Sequence, residues 1–368
     1  MKRISIMLLA LLVLAAMALA QDAPKADSVA ITVYNDNLGV VKDVRTVTLA
    51  KGVSMLEFSD VAALVESSSV KLTDVADWTA LNVLEQNFQY DLVSPGKLLE
   101  KYLGKEIALK VYDEAGKLVR VDNGTLLSIN GDRPGVMNIG GKIVINAPGT
   151  VELPALSEGL RIKPTLEWLL DSRVEGSRQV EITYCTGGIS WRADYVLLIN
   201  EADTQGSLNG WVTLTNNSGA TYKNATLKLV AGTINRAQPE RQMYRNARSL
   251  DLAMAAPAGM GGFEEESFFE YHLYSLQRPT TVSDREIKQV ALLDAPSFGL
   301  DKVFLCESNV GYSTNPEQPD KVKVKLKFDN AEANGLGMPL PAGIVKLYKQ
   351  DSSGSSQLIG ADRIQHTP

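Results

Sequence analysis

Few side chains in this 368-residue chain have the type and spacing that chemistry needs. Its two histidines, His272 and His366, stand far apart in sequence, and neither belongs to an H-E-x-x-H pattern. A zinc site needs three or four N, S or O ligands converging on one point, so it would have to be assembled from scattered Cys, Asp or Glu. There is no G-x-S-x-G elbow to expose a serine nucleophile and no P-loop to cradle phosphates. Gly335-Leu336-Gly337 lacks a third glycine in place and a βαβ setting, so it is not a dinucleotide fingerprint. The Asp329-Asn330-Ala331-Glu332 loop breaks the alternating ligand pattern of a calcium loop at Ala331 and again at Ala333. No catalytic, cofactor-binding or metal-ligating residue is assigned, and no cofactor is expected.

Four groupings have a sharper and a plainer reading. Glu264, Glu265 and Glu266 could offer carboxylates, but they fall in an irregular stretch that would hold geometry poorly, which favours a solvated acidic loop. Lys321, Lys323, Lys325 and Lys327 form a row on one face of a strand, with Val322, Val324, Leu326 and Phe328 on the other. The row is either a cationic strip for an anionic glycan or phospholipid headgroups or, more plainly, a solvent face that deters edge pairing. In Ser190-Trp191-Arg192-Ala193-Asp194-Tyr195, parity puts Trp191, Ala193 and Tyr195 on one face and Arg192 with Asp194 on the other. That pattern fits a buried aromatic anchor with an outward ion pair, ahead of a sugar-stacking platform. Cys185 and Cys306 could pair in an oxidising compartment; Cys185 shares parity with Glu181 and Thr183 on the polar face of its strand, and the pairing stays open.

The elements that would position these groups begin after an export signal. Lys2 and Arg3 precede an apolar run from Ile6 to Met17, and Ala18-Leu19-Ala20 supplies small residues for cleavage before Gln21. The run is shorter than the roughly 20 residues a spanning helix needs, and nothing downstream is apolar enough to span, so no transmembrane segment is expected after cleavage. The mature chain is expected to be periplasmic or extracellular. Its net charge is acidic, −6 for the whole chain, which argues against nucleic acid, whose binders carry a basic patch or stripe.

From Ser28 onward the dominant period is two, as in Val29, Ile31 and Val33, which is what half-buried strands require. One helix interrupts it: Ser94 as N-cap, Pro95 at the first position and Gly104 as the stop predict a helix over 95–103. Five closely spaced strand signals follow, with Asn123-Gly124 read as a hairpin turn, and they predict a small barrel over about 106–146. The barrel is either a spacer or a module binding peptides or oligomers. Leu166, Trp168 and Leu170 open a further β region with Thr165, Glu167 and Asp171 outward, and Ala193–Ile199, apolar on both faces, reads as a doubly covered strand of a sandwich. The expected fold is mainly β: antiparallel β-sandwich domains with a small inserted β-barrel and one short helix. The boundaries read as 1–20 signal peptide, 21–160 N-terminal β region, 161–251 β-sandwich, 252–268 linker or mobile loop, and 269–368 C-terminal β region.

Several stretches resemble one family closely: Tyr184–Tyr195, Gly210–Gly232, Phe269–Lys288 and Asn334–Ile344, with Asp91–Gly104 and Pro164–Trp168 upstream. The chain resembles the exported bacterial proteins grouped as the domain-of-unknown-function family numbered 4139, relatives of the mucoidy-inhibitor-like proteins. Unlike the mucoidy-inhibitor branch, it shows no long coiled coil between its β regions. The family has no assigned activity, so the resemblance carries over no site residues; it does imply a domain that runs on past Pro368, with its last strands missing here. The functional expectation is an exported, non-enzymatic protein that binds or scaffolds an envelope glycan or protein. The alternative is a secreted hydrolase acting on glycans or peptides through dispersed carboxylates, since such a pair can lie anywhere in sequence.

Overall fold

The computed structural model describes residues 26–155, 159–232, 263–268, 271–306 and 322–367. The signal peptide, residues 252–262 of the expected linker and Lys321 lie outside them. Two compact units share the chain: Thr48–Ala63 with Ala80–Gly176, and Lys25–Val47 with Leu64–Thr79 and Ser177–Pro368. The strands therefore alternate between units. β1 (Ala26–Tyr34) and β2 (Gly39–Leu49) open the second unit, β3 (Gly52–Ser59) belongs to the first, and β4 (Lys71–Asp74) returns to the second. β5 (Leu81–Gln89), the helix α1 (Pro95–Lys101), β6 (Glu106–Tyr112), β7 (Leu118–Asn130), β8 (Arg133–Ile139), β9 (Lys142–Ile145), β10 (Thr150–Glu152) and β11 (Thr165–Ser172) complete the first unit.

In that unit β3, β11 and β5 form one antiparallel sheet, and β10, β6, β7, β8 and β9 a second in that order. The second sheet is open, with β9 and β10 as its edges; the barrel expected over 106–146 does not close. Asn123-Gly124 is no turn but the middle of β7, where Gly124 pairs with Ile107. A Cβ on Gly124 would stand 2.5 Å from the Asn138 carbonyl oxygen of β8, so the glycine serves close strand approach rather than a positive φ. The helix begins where expected, with the Ser94 hydroxyl accepting from the Lys97 amide. Being only seven residues long, it depends on packing. Leu99 and Tyr102 supply it by joining Ile107, Leu109, Leu126 and Met137 in one core cluster. In β11, Trp168 is fully buried, donates Nε1–H to Gln86 Oε1 at 2.9 Å and meets Phe58 edge-on. Thr165 and Glu167, expected outward, are buried because β11 is the central strand of its sheet.

The second unit is a sandwich. β12 (Gly176–Thr186), β13 (Ile189–Ile199), β14 (Gln205–Asn216), β15 (Tyr222–Ala231), β16 (Phe263–Phe268), β17 (Tyr271–Leu276) and β18 (Thr280–Val282) are followed by β19 (Glu286–Gly299), β20 (Asp301–Leu305), β21 (Lys323–Lys327), β22 (Gly343–Gln350) and β23 (Ser356–Ile364). One sheet runs β16-β17-β15-β1-β2-β12-β4, with β18 on β15; the other runs β19-β14-β13-β22-β23. Most pairs are antiparallel, but β1 lies parallel to β15 and β22 parallel to β13. Trp191 ties the sheets together, donating Nε1–H to Val230 O at 3.0 Å and meeting the Tyr274 ring edge-on at 6.1 Å. β16, within the segment read as a linker, pairs along its length with β17. β13 is not covered on both faces: Trp191, Ala193, Tyr195, Leu197 and Ile199 are buried, whereas Arg192 is exposed and Asp194, Val196 and Leu198 are half-buried. The apolar residues at 196 and 198 serve an open sheet face.

Candidate ligand-binding face

That open face is built by register. Cross-strand partners share a side of the sheet, so Asp194 places Trp211 of β14 and Ile344 of β22 beside it, and Arg192 places Thr213, which in turn pairs with Gln289 of β19. Asn209 stands opposite both Val196 and Asp294. Trp211 is 38% exposed while Trp191, on the opposite side of the same sheet, is 3% exposed. The neighbours of Trp211 are held in a chain of hydrogen bonds. Gln289 Nε2 donates to Thr213 Oγ1 (3.2 Å), Thr213 Oγ1 donates to Asp194 Oδ2 (2.6 Å), and Arg192 Nε donates to the same carboxylate (3.1 Å). One step along, Asn209 Nδ2 donates to Asp294 Oδ1 at 2.7 Å. The result is an aromatic face at the surface, flanked by planar polar groups whose remaining lone pairs and N–H groups are free to address a ligand's hydroxyls.

The underside of the sheet keeps this face fixed. The Tyr195 hydroxyl donates to Pro341 O at 2.8 Å, and burial pushes the phenol's pKa far up. Tyr222, at the start of β15 in the other sheet, is pushed up to about 12 chiefly by burial and shares a hydrogen bond with Ser218, just past β14, at 2.9 Å. Both phenols stay protonated and serve as struts.

The residues singled out from sequence fall into distinct places. Arg192 and Asp194 form the outward ion pair and Trp191 the buried anchor, as their parity required. Lys323, Lys325 and Lys327 are exposed on β21, which among the described residues pairs with β20 alone. On the opposite side Val322 and Val324 are exposed, whereas Leu326 and Phe328 are half-buried and the Phe328 ring lies 5.0 Å from that of Phe298. Cys185 is half-buried and Cys306 exposed, and both are free thiols. His272 and His366 are brought together, their rings stacked with centroids 3.9 Å apart. No cluster of three His, Cys, Asp or Glu side chains occurs among the described residues, and none of their helices is long and apolar enough to cross a membrane.

No protein-family model and no curated protein matches this chain. What it can bind is therefore argued from its own side chains.

Sequence reasoning missed three features. Trp211 escapes notice in the sequence although Val212 and Leu214 fix its outward parity. Asp43 and Arg45 share parity with Val41 and Val47, which carries both charges inside, where Arg45 Nη2 meets Asp43 Oδ2 at 2.7 Å. Glu57 and Glu167 face each other across β3 and β11. Arg161 bridges that pair, reaching Glu57 at 3.4 Å and bonding Glu167 directly, while Gln89 Nε2 donates to Glu167 at 3.2 Å. A carboxylate held this way is committed to a cation, which suits structure better than proton transfer. A groove of about 700 Å³ also opens in the first unit beside Asn130, Asp132, Arg133 and Asn146; its polar lining sits at strand ends and in the turns between them.

Proposed function

We propose that this is an exported protein, a relative of the family numbered 4139, that works by binding in the cell envelope or outside the cell. The Trp211 face is its binding surface and an envelope glycan its ligand. One observation carries the reading: Trp211 lies open on a broad sheet face and is ringed by Arg192, Asp194, Gln289 and Asn209. A sugar ring presents C–H groups on its faces and hydroxyls around its rim. An indole plane takes the first, and amide, guanidinium and carboxylate groups take the second. The acidic chain and the signal-like residues 1–20 fit a mature protein outside the cytoplasm, away from nucleic acid.

The test is binding of the mature protein to fractionated envelope polysaccharides, wild type against Trp211→Ala. At ~0.5–1.5 kcal/mol for one stacked ring, binding should fall about 2- to 12-fold with the melting temperature unchanged. Equal binding by the two proteins overturns the reading. The hydrolase alternative draws on Glu57 and Glu167. Turnover of a glycan that Glu167→Gln abolishes would establish it, although the Arg161 bridge weighs against that outcome.

A further inference from the structure

The two histidines of the chain meet in the sandwich unit. His272 lies on β17, its backbone opposite Ala231 of β15 and Ser267 of β16. His366 comes just after β23, and its ring stacks on that of His272 with an interplanar angle of 23°. The backbone beside it is held too: Leu340 N donates to Thr367 O at 2.7 Å, and Thr367 N donates to Leu340 O at 2.9 Å. Tyr274, two residues on from His272, donates its hydroxyl to Pro339 O at 3.1 Å and stands 3.5 Å from His366 Nε2. A ring stack and a two-bond bridge thus fasten residues 365–367 and the 339–341 segment to β17.

We propose that His272 and His366 form a proton-operated clasp, closed while the His366 ring is neutral and opened when that ring takes up a proton. Stacked parallel rings cannot aim their in-plane lone pairs at one metal ion, so the geometry suits a contact between rings and not chelation. The Tyr274 proton is directed at Pro339 O, so the phenol oxygen is an acceptor for His366 Nε2–H, and the incoming proton goes to Nδ1. Among the described residues, the groups facing His366 are His272 and Tyr274 from β17 and the Pro339 carbonyl beyond Tyr274; the preceding strand carries Asp362 and Arg363. Among the described residues no carboxylate is bonded to His366 to stabilise the cation. Burial, with a smaller contribution from His272, lowers the His366 pKa from 6.5 to about 4.

A released His366 takes up its proton near the ordinary value, whereas the docked ring resists until about pH 4. Docking is therefore complete above pH 6.5 and weakens by about tenfold per pH unit as the pH falls toward 4. Opening uncovers Leu340, which is buried in the closed form. The clasp stands apart from the Trp211 face and does not depend on the proposed ligand.

Amide hydrogen exchange on the full chain, corrected for intrinsic rates, tests it from pH 7.5 to 4.5. Protection at Leu340 and Thr367 should fall about 40-fold between pH 6.5 and 4.5, while amides of β13 keep theirs. His366→Phe keeps a ring without a titrating nitrogen and should hold its protection throughout; if β13 protection shows that it misfolds, His272→Phe takes its place. The latter variant keeps a ring over His366 but removes the charge contribution of His272, the smaller cause of the lowered pKa, and should give a slightly shallower loss. Protection in the wild type that ignores pH overturns the proposal, and so does a folded His366→Phe variant that loses protection as the wild type does.

Discussion

Gly343 of β22 lies against the ring of Tyr195 on β13, so close that a Cβ there would stand 2.8 Å from Tyr195 Cε2 and 2.4 Å from the Ala193 carbonyl oxygen. On the other flank Gly210 of β14 leaves the same ring room, its absent Cβ falling 3.2 Å from Tyr195 Cε1. The large central side chain is accommodated by two neighbours without side chains. Gly343→Ala must displace carbonyl and ring together, and overpacking of this kind costs about 1–3 kcal/mol. The urea midpoint of the sandwich should drop accordingly. An unchanged midpoint would mean that β22 does not lie in this register.

Arg178 holds Asp74 with both arms, Nε to Oδ2 at 2.7 Å and Nη2 to Oδ1 at 2.8 Å. Burial pulls the Asp74 pKa upward, but hydrogen bonds from Arg178 and the amides of Asp77 and Ala76, with the Arg178 charge, leave it below the usual carboxylate value. A depressed folded pKa gives stability that is present above about pH 4 and is lost as the pH falls through the folded value. Asp74→Asn should therefore cost roughly 1–3 kcal/mol at pH 7 and flatten the acid limb of the stability curve. Parallel curves for variant and wild type below pH 4 would remove Asp74 from that limb.

In the first unit, α1 rests on its cap and on one side chain. Ser94→Ala should cost about 1 kcal/mol and Leu99→Ala about 2–4 kcal/mol, because Leu99 is a member of the buried cluster. Chemical denaturation of the two variants measures the order. A larger loss from Ser94→Ala than from Leu99→Ala would show that the helix does not pack as described.

Thiol labelling of the native protein should modify exposed Cys306 before half-buried Cys185, with both reacting fully in denaturant. A protein that refuses label until reduced would have the two joined.

Period-two patterning located most strands and the face that each one buries, because alternation is a local property. Parity at Trp191, Arg192 and Asp194 read correctly for that reason. Ala193–Ile199 misled because Val196 and Leu198 are apolar on an open face, and a run apolar on both sides is indistinguishable from a doubly covered strand. Asn123-Gly124 misled because a glycine that makes room for the Asn138 carbonyl looks the same as one that makes a turn. The stack of His272 on His366 was illegible, since it depends on β17 and the end of β23 meeting through pairings distant in sequence. Trp211 was legible in parity but hidden by its own apolar character, which suggests an inside position to any reading that ranks residues by hydropathy.

The parallel pairing of β1 with β15 has a consequence for synthesis. Ala30–Tyr34 finds its neighbour only at Thr226–Val230, after the whole of the nested first unit has been made. Until then β1 presents an unpaired edge to whatever surrounds the growing chain, while the nested unit, with its own helix and core, has everything it needs to fold ahead. Closing so distant a contact is slow, and the waiting edge invites misassembly. The chain is thus organised to remain incompletely folded for much of its length, a state compatible with being threaded elsewhere before it closes.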